Sequence, residues 1–370
     1  MLRRTILSGA ICLAAATWCV PAFGFDDDDR GGAVYTTTNA AGPNSAVVYQ
    51  RLPDGTLNPG GLVPTGGSGT GAGLGSQGAV VLSDSNRWLF VVNAGSDEIT
   101  VFEVERDGLE FADKVSSGGH MPISVTVHGR LVFVLNAGTP NNITGFLLNS
   151  EGKLISIPGS TRALSAPAVG PAQVQFSPDG DLLVVTEKGA NLIDVFPVGS
   201  NGLPGTRVST ASHGTTPFGF AFGKRNQLLV SEAFGGAPNA SAMSSYLAHD
   251  DGSLTLVTGS APTNQSAACW VVVNNSGRLT YATNTGSSSI TGFHVGPGGE
   301  LAILNADGRT GVTPAGSAPI DEAFSNDGRF LYALTSKVAG ISGFRVEHDG
   351  SLIPTGNVSA PATASGLAAR

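Results

Sequence analysis

A short apolar, β-branched run recurs seven times along the chain, and this recurrence constrains the fold more than any other feature. The runs are AVYTTTN (33–39), WLFVVN (88–93), LVFVLN (131–136), LLVVTE (182–187), LLVSE (228–232), LTYATN (279–284) and FLYALT (330–335). Six close in Asn or Glu and the last in Thr. Each is followed by a small-residue turn and a second apolar run, such as ITVFEV, LIDVFPV or ISGFRV. Each second run then meets a tight turn: Asp54-Gly55, Asp107-Gly108, Glu151-Gly152, Asn201-Gly202, Asp251-Gly252, Gly298-Gly299 and Asp349-Gly350. Asn, Asp and Gly tolerate the positive φ that hairpin turns require.

A third strand follows each of these turns, and a fourth precedes the next repeat, as in AQVQFSPDG (172–180) and IDEAFSNDG (320–328). The turns closing the fourth strand fall at Asn86, Gly129, Gly180, Asn226, Gly277 and Gly328, at spacings of 43, 51, 46, 51 and 51 residues. Four short strands per such period are the signature of propeller blades. The chain enters its first repeat without an inner strand and leaves on ATASGLAAR (362–370), an inner strand with nothing after it. Pairing the two ends completes a blade and removes the open sheet edges. The expected fold is therefore all-β: one seven-bladed β-propeller over residues 33–370, with four-stranded blades and a ring closed by the C-terminal strand.

This architecture decides how the glycine-rich stretch GSGTGAGLGSQGA (67–79) is read. Gly73, Gly75 and Gly78 have the G-x-G-x-x-G spacing. A dinucleotide cradle needs a helix after those glycines, with its N-terminus facing the pyrophosphate. Here a strand, AVVLSDSN, follows. The stretch is better read as a loop over the channel mouth leading into an inner strand, and no cofactor is expected.

Residues 1–24 have the pattern of an export signal: Arg3 and Arg4, an apolar stretch from Ile6 to Val20, and small residues at Ala22-Phe23-Gly24. Residues 25–32, with the acidic run Asp26 to Asp29, are expected to be a solvated, disordered leader. A periplasmic or secreted location follows, without a lipid or membrane anchor. Cys12 and Cys19 fall in the signal, which leaves Cys269 alone and excludes an internal disulfide or a multi-cysteine metal site. A net charge of −8, with 20 Lys and Arg, argues against nucleic-acid and anionic-membrane partners. A monomer is expected.

The phrases FSPDGDLLVVTEKGANLIDVF, GRLTYATNTGSSSITGF and NDGRFLYALTSKVAGISGF resemble the bacterial lactonase family of seven-bladed propellers. That family includes propeller-type 6-phosphogluconolactonases and fungal 3-carboxymuconate lactonising enzymes. GLGSQGAVVLSDSNRWLFVVNAGSDEITVF is similar to a secreted branch of it. The resemblance implies lactone chemistry at the channel mouth. It also implies a His-x-His-x-Val phrase entering one inner strand, a Pro-Arg-His phrase entering the next, and an Asn-Glu at the end of the strand after that. This chain reads Gly170-Pro171-Ala172-Gln173-Val174, Pro217-Phe218-Gly219 and Ser231-Glu232 at these places. Of the implied set only the acid, Glu232, is kept.

The run ends place Asn39, Asn93, Asn136, Glu187, Glu232, Asn284 and Thr335 near the mouth. Glu187 and Glu232 come from adjacent blades and are read either as an acid/base pair or as turn caps. His213 in SHGTTP and His120 in GGHMP are candidate general bases on connecting loops, or surface residues. Asp321 begins an inner strand together with Glu322, and alternation sends one toward the channel and the other toward a neighbouring sheet. Trp270 is placed near the mouth, where it either packs between blades or meets a ligand. Arg162 and Arg309, in the long loops 158–170 and 305–318, are the cationic groups available to an acidic ligand. No histidine pair has metal-ligand spacing, so no metal is expected.

Two functions remain open. One is an exported lactone hydrolase or cycloisomerase acting on a small acidic lactone, with Glu232, Glu187 and His213 catalytic. Arg162, Arg309, His120, Asp321 and Trp270 would then bind substrate. The other is a non-catalytic extracytoplasmic propeller that binds a protein partner or a small ligand.

Overall fold

The computed structural model describes residues 31–106 and 108–370. The expected signal, most of the acidic leader and the Asp of the Asp107-Gly108 turn lie outside the described residues.

Each recurrent run forms the second strand of a four-stranded antiparallel sheet, because its near-continuous apolar residues bury on both faces between neighbouring sheets. The inner strands are Val80–Leu82, Pro122–His128, Pro171–Phe176, Pro217–Phe222, Ala268–Val273, Pro319–Phe324 and Ser365–Ala369. Each contacts the next around a ring, and Ser365–Ala369 contacts both Val80–Leu82 and Pro319–Phe324. Blade 1 is built from both chain ends: Ser365–Ala369 pairs with Gly32–Thr37, which leads to Pro43–Arg51 and Leu57–Ser68. Blades 2 to 7 follow in sequence order. The closure expected from the chain ends is therefore present. In blades 3 and 6 the outer strand is split, into Leu154–Ser156 with Arg162–Ala163 and Leu301–Ile303 with Gly311–Val312. Among the described residues the helical segments are two single 3-10 turns, Lys224–Asn226 and Phe234–Gly236.

The core lies between blades. Its largest cluster joins blades 2 to 4 around Phe90, Phe133 and Phe196. Close inter-blade contacts also explain particular glycines. A Cβ at Gly152 would meet the Trp88 ring at 2.4 Å, so the hairpin turn of one blade seats on an aromatic residue of the blade before it.

Four of the seven run-end residues share a structural task. Asn39 Nδ2 donates to Ala72 O at 2.6 Å, and its Oδ1 accepts Thr70 N at 3.0 Å. Asn136 Nδ2 donates to Ser117 O at 3.3 Å. Glu187 Oε1 accepts Ser165 N at 2.9 Å, and Glu232 Oε1 accepts Gly214 N at 2.7 Å. Each thus holds a loop that crosses from one blade to the next. A buried loop backbone needs such partners, which accounts for the polar residue closing these four runs.

Candidate active site

The channel is closed at the mouth. An inner strand is a sheet edge, so its outward N–H and C=O groups need partners. At the mouth end, side chains supply them. Gln77 Nε2 donates to Val271 O at 2.7 Å, and Gln77 Oε1 accepts Val271 N at 3.0 Å. The primary amide thus replaces a ladder partner. Gln77 N also donates to Ala172 O at 3.1 Å. One residue of the glycine-rich loop therefore ties blade 2 to blades 4 and 6 across the channel. Gln173 does the same locally, donating to Phe220 O at 2.9 Å and accepting Phe220 N at 2.7 Å. The loop is fixed further by Ser76 Oγ donating to Ile123 O at 2.8 Å and by Trp270 Nε1 donating to Ser76 O at 2.8 Å. Residues 57–68 are strand, so the loop proper begins after Ser68.

Beneath this plug, Trp270 packs against Phe218 with ring centroids 4.9 Å apart. Lys188 Nζ lies 4.5 Å from the centre of the Phe218 ring and donates to Gly75 O at 2.5 Å. Burial pushes the Lys188 amine down to about 8. Burial pushes the neighbouring Cys269 thiol up to about 12, against the opposing effects of Thr285 and Lys188.

The plug explains the departures from the family phrases. Ala172 and Phe218 are buried, and the Ala172 carbonyl receives the Gln77 amide. A Cβ at Gly219 would come within 2.2 Å of Gln77 Oε1 and 2.6 Å of Cys269 O. A histidine at position 219 and glutamine at 77 therefore exclude one another.

On the other side of the plug the channel widens into a cavity of about 620 Å³. It is lined by Gln77 and reaches the turns at Asp84, Asn86, Pro178 and Asn326. Asp321 and Glu322 are both buried beside it, Asp321 against the Leu367 backbone of blade 1 and Glu322 against the Val272 backbone of blade 6. Asp321 Oδ1 accepts Glu322 N at 2.8 Å. Burial raises the Asp321 carboxyl well above its ordinary range, and burial followed by the Asp321 charge does the same to Glu322.

Glu187 and Glu232 are each engaged within their own part of the ring. Glu187 also accepts from Ser165 Oγ and lies against Asp194 on the neighbouring strand of blade 4. Burial, then Glu187, pushes Asp194 up to about 7. The carboxyl partner of Glu187 is thus Asp194, which sits in the middle of a strand and carries no motif.

Glu232 and His213 are brought together through Ser260. Glu232 Oε1 accepts Gly214 N at 2.7 Å and Ser244 Oγ at 2.5 Å, and Oε2 accepts Ser260 Oγ at 2.6 Å. His213 Nδ1 is 2.9 Å from Ser260 Oγ. With the serine proton directed at the carboxylate, Nδ1 is the donor to Ser260 and the neutral ring keeps its lone pair on Nε2. His213 is exposed, and its ring lies over Gly259, where a Cβ would approach to 2.6 Å. The arrangement is an oriented base on a rigid support. Ser260 lies on the outer strand of blade 5, 28 residues after Glu232, so no local pattern joins them.

His120 forms a second oriented imidazole. Its Nδ1 is 2.7 Å from Asp97 Oδ2, and Asp97 Oδ1 accepts Met121 N at 2.7 Å. Burial pushes the Asp97 carboxyl up, but these hydrogen bonds more than offset it and hold it below the usual range. Arg162 lies on the outer strand of blade 3, and the Arg309 backbone N donates to Asp307 Oδ1 at 3.0 Å in an exposed turn. Among the described residues no group of three or more His, Cys, Asp or Glu is placed to hold a metal.

Comparison with known proteins agrees with this fold. The family described as Lactonase, 7-bladed beta-propeller matches residues 34–167. Among solved structures, a protein from Lactobacillus plantarum superposes with a TM-score of 0.75 at 16% identity, covering 92% of this chain and 99% of its own. The periplasmic gluconolactonase of Pseudomonas aeruginosa superposes with a TM-score of 0.69 at 19% identity, covering 90% and 98%. A candidate 6-phosphogluconolactonase of Bacteroides uniformis gives 0.69 at 18%, covering 89% and 97%. At these identities the likeness establishes the shared fold. Comparison with curated proteins gives no sequence match.

Proposed function

We propose that this lactonase-like propeller is an exported enzyme that opens a small lactone on the mouth face, with His213 as its general base. The observation that carries this reading is the chain from Glu232 through Ser260 to His213, which orients an exposed ring and leaves Nε2 without a hydrogen-bond partner among the described residues. Water attacking the lactone carbonyl would give its proton to Nε2. The ring C–O bond then breaks, and the imidazolium returns the proton to the departing alkoxide, leaving a hydroxy acid. Glu232 and Ser260 act as positioning residues, since the buried carboxylate is reached only through Ser260. The amino-terminal pattern supports action outside the cytoplasm.

The test is hydrolysis of a panel of aldonolactones and acidic lactones by wild-type protein, Ser260→Ala and Glu232→Gln. Turnover by the wild type with a marked loss in Ser260→Ala supports the reading. Wild-type turnover that neither variant alters would refute the role of the chain.

A second reading is favoured by the plug. Gln77, Phe218, Trp270 and Lys188 fill the place where the family resemblance puts its histidines and arginine. A filled mouth suits a non-catalytic extracytoplasmic propeller binding a protein partner or small ligand. Absence of turnover on every lactone, together with capture of a partner from the periplasm, would favour it.

A further inference from the structure

A cleft of about 530 Å³ opens at the rim between blades 3 and 4 and shares no residue with the channel cavity. It is lined by Arg162, Ala163, Phe196, Gly205, Thr206 and Arg207. Two guanidinium groups from different blades meet there, and each is anchored to the other's blade. Arg162 Nε donates to Gly205 O at 3.4 Å, and its Nη1 donates to Gly159 O at 2.7 Å and Thr161 O at 2.9 Å. Arg207 Nη1 donates to Ala163 O at 3.2 Å, and its Nε donates to Ser209 Oγ at 3.1 Å. Neither Nη2 donates to an acceptor among the described residues.

Two cations thus share one cleft in a chain of net charge −8. The carboxylate against Arg207 is Asp194, fully buried, with Oδ2 3.4 Å from Arg207 Nε. Glu187 faces Asp194 from the adjacent strand, and Ser209 Oγ donates to its Oδ1 at 2.6 Å. Burial, then Glu187, pushes the Asp194 carboxyl up to about 7, so it compensates Arg207 only in part near neutral pH. Pre-oriented guanidinium groups with free N–H donors match the oxygens of carboxylates and phosphates.

We infer that this cleft binds a small oxyanion, the carboxylate of a sugar acid or the phosphate of a phosphate ester, between Arg162 and Arg207. The bound anion draws on Arg207 and weakens its hold on Asp194, so binding takes up a proton at neutral pH. The site is independent of His213.

Isothermal titration of the full chain with gluconate and with inorganic phosphate, and with sorbitol as neutral control, tests this. Saturable binding of an anion is expected, weakened at least about tenfold in Arg162→Gln and in Arg207→Gln and unchanged in His213→Ala. Binding of gluconate alone identifies a carboxylate ligand, and binding of phosphate alone a phosphate ester. At pH 7, buffers of different ionisation enthalpy should reveal proton uptake in the wild type that Asp194→Asn abolishes. Arg162→Gln changes a group that bonds only backbone carbonyls, so it remains informative if Arg207→Gln fails to fold. No saturable binding of either anion, or unaltered affinity in Arg162→Gln, would overturn the inference.

Discussion

Replacing Gln77 by alanine should destabilise the whole ring, although the residue lies in a glycine-rich loop. The side chain makes both hydrogen bonds to Val271, at 2.7 and 3.0 Å, and is 9% exposed. Its loss leaves one N–H and one C=O of an inner strand facing the channel. A lost net hydrogen bond costs about 1 kcal/mol, and a stranded buried group about 1–3 kcal/mol. The adjoining cavity of about 620 Å³ lets solvent relieve part of this. The expected loss is therefore about 2–4 kcal/mol. An unfolding entropy of about 2.1 cal/mol/K per residue gives about 0.7 kcal/mol/K for a domain of this size, so Tm should fall by about 3–6 °C. Scanning calorimetry would measure it, with the exposed Gln50→Ala as control. Gln77→Met keeps the volume and removes the amide, and should fall nearly as far. A change below about 1 °C in both Gln77 variants would refute the plug as a structural tie.

Other consequences follow from the same contacts. Gly219→His should destabilise by at least about 2 kcal/mol in chemical denaturation, and Gln77→Gly should relieve it only partly, because Cys269 O remains 2.6 Å from the new Cβ. Asp194 has a folded pKa raised from 3.8 to about 7. The folded state therefore holds a proton that the unfolded chain releases, and stability should fall as pH rises across that window. Asp194→Asn should flatten this slope in denaturant titrations at pH 4.5, 6 and 8. In protein carrying Cys12→Ser and Cys19→Ser, Cys269 should resist a thiol reagent at pH 8 until denaturant is added, because burial raises its thiol to about 12.

The fold was legible because each blade repeats a local pattern. WLFVVN and LTYATN bury both faces, and Asp251-Gly252 supplies a turn with positive φ at Gly252. Ring closure could be read from an unpartnered first strand and a surplus last one. The site was legible only in part. Glu232 and His213 were identifiable as chemistry-bearing residues near one face, but their connection runs through Ser260, an ordinary strand serine. Glu187 and Glu232 stood out because they close successive runs, yet that position serves the crossing loops and gives each a different partner. Gln77 could not be chosen over its neighbours, since its meaning lies in reaching Val271, 194 residues away. Arg162 was singled out for its charge, whereas its pairing with Arg207 depends on how two outer strands meet.

The central claim is that His213, held by Ser260 and Glu232, moves the proton in lactone opening. The most direct measurement is initial-rate hydrolysis of the best aldonolactone by wild-type protein and His213→Ala, side by side at pH 6 to 8. The account predicts a loss of about 100-fold or more in kcat for the variant, with its melting temperature retained. Equal rates, or no hydrolysis by the wild type, would contradict it.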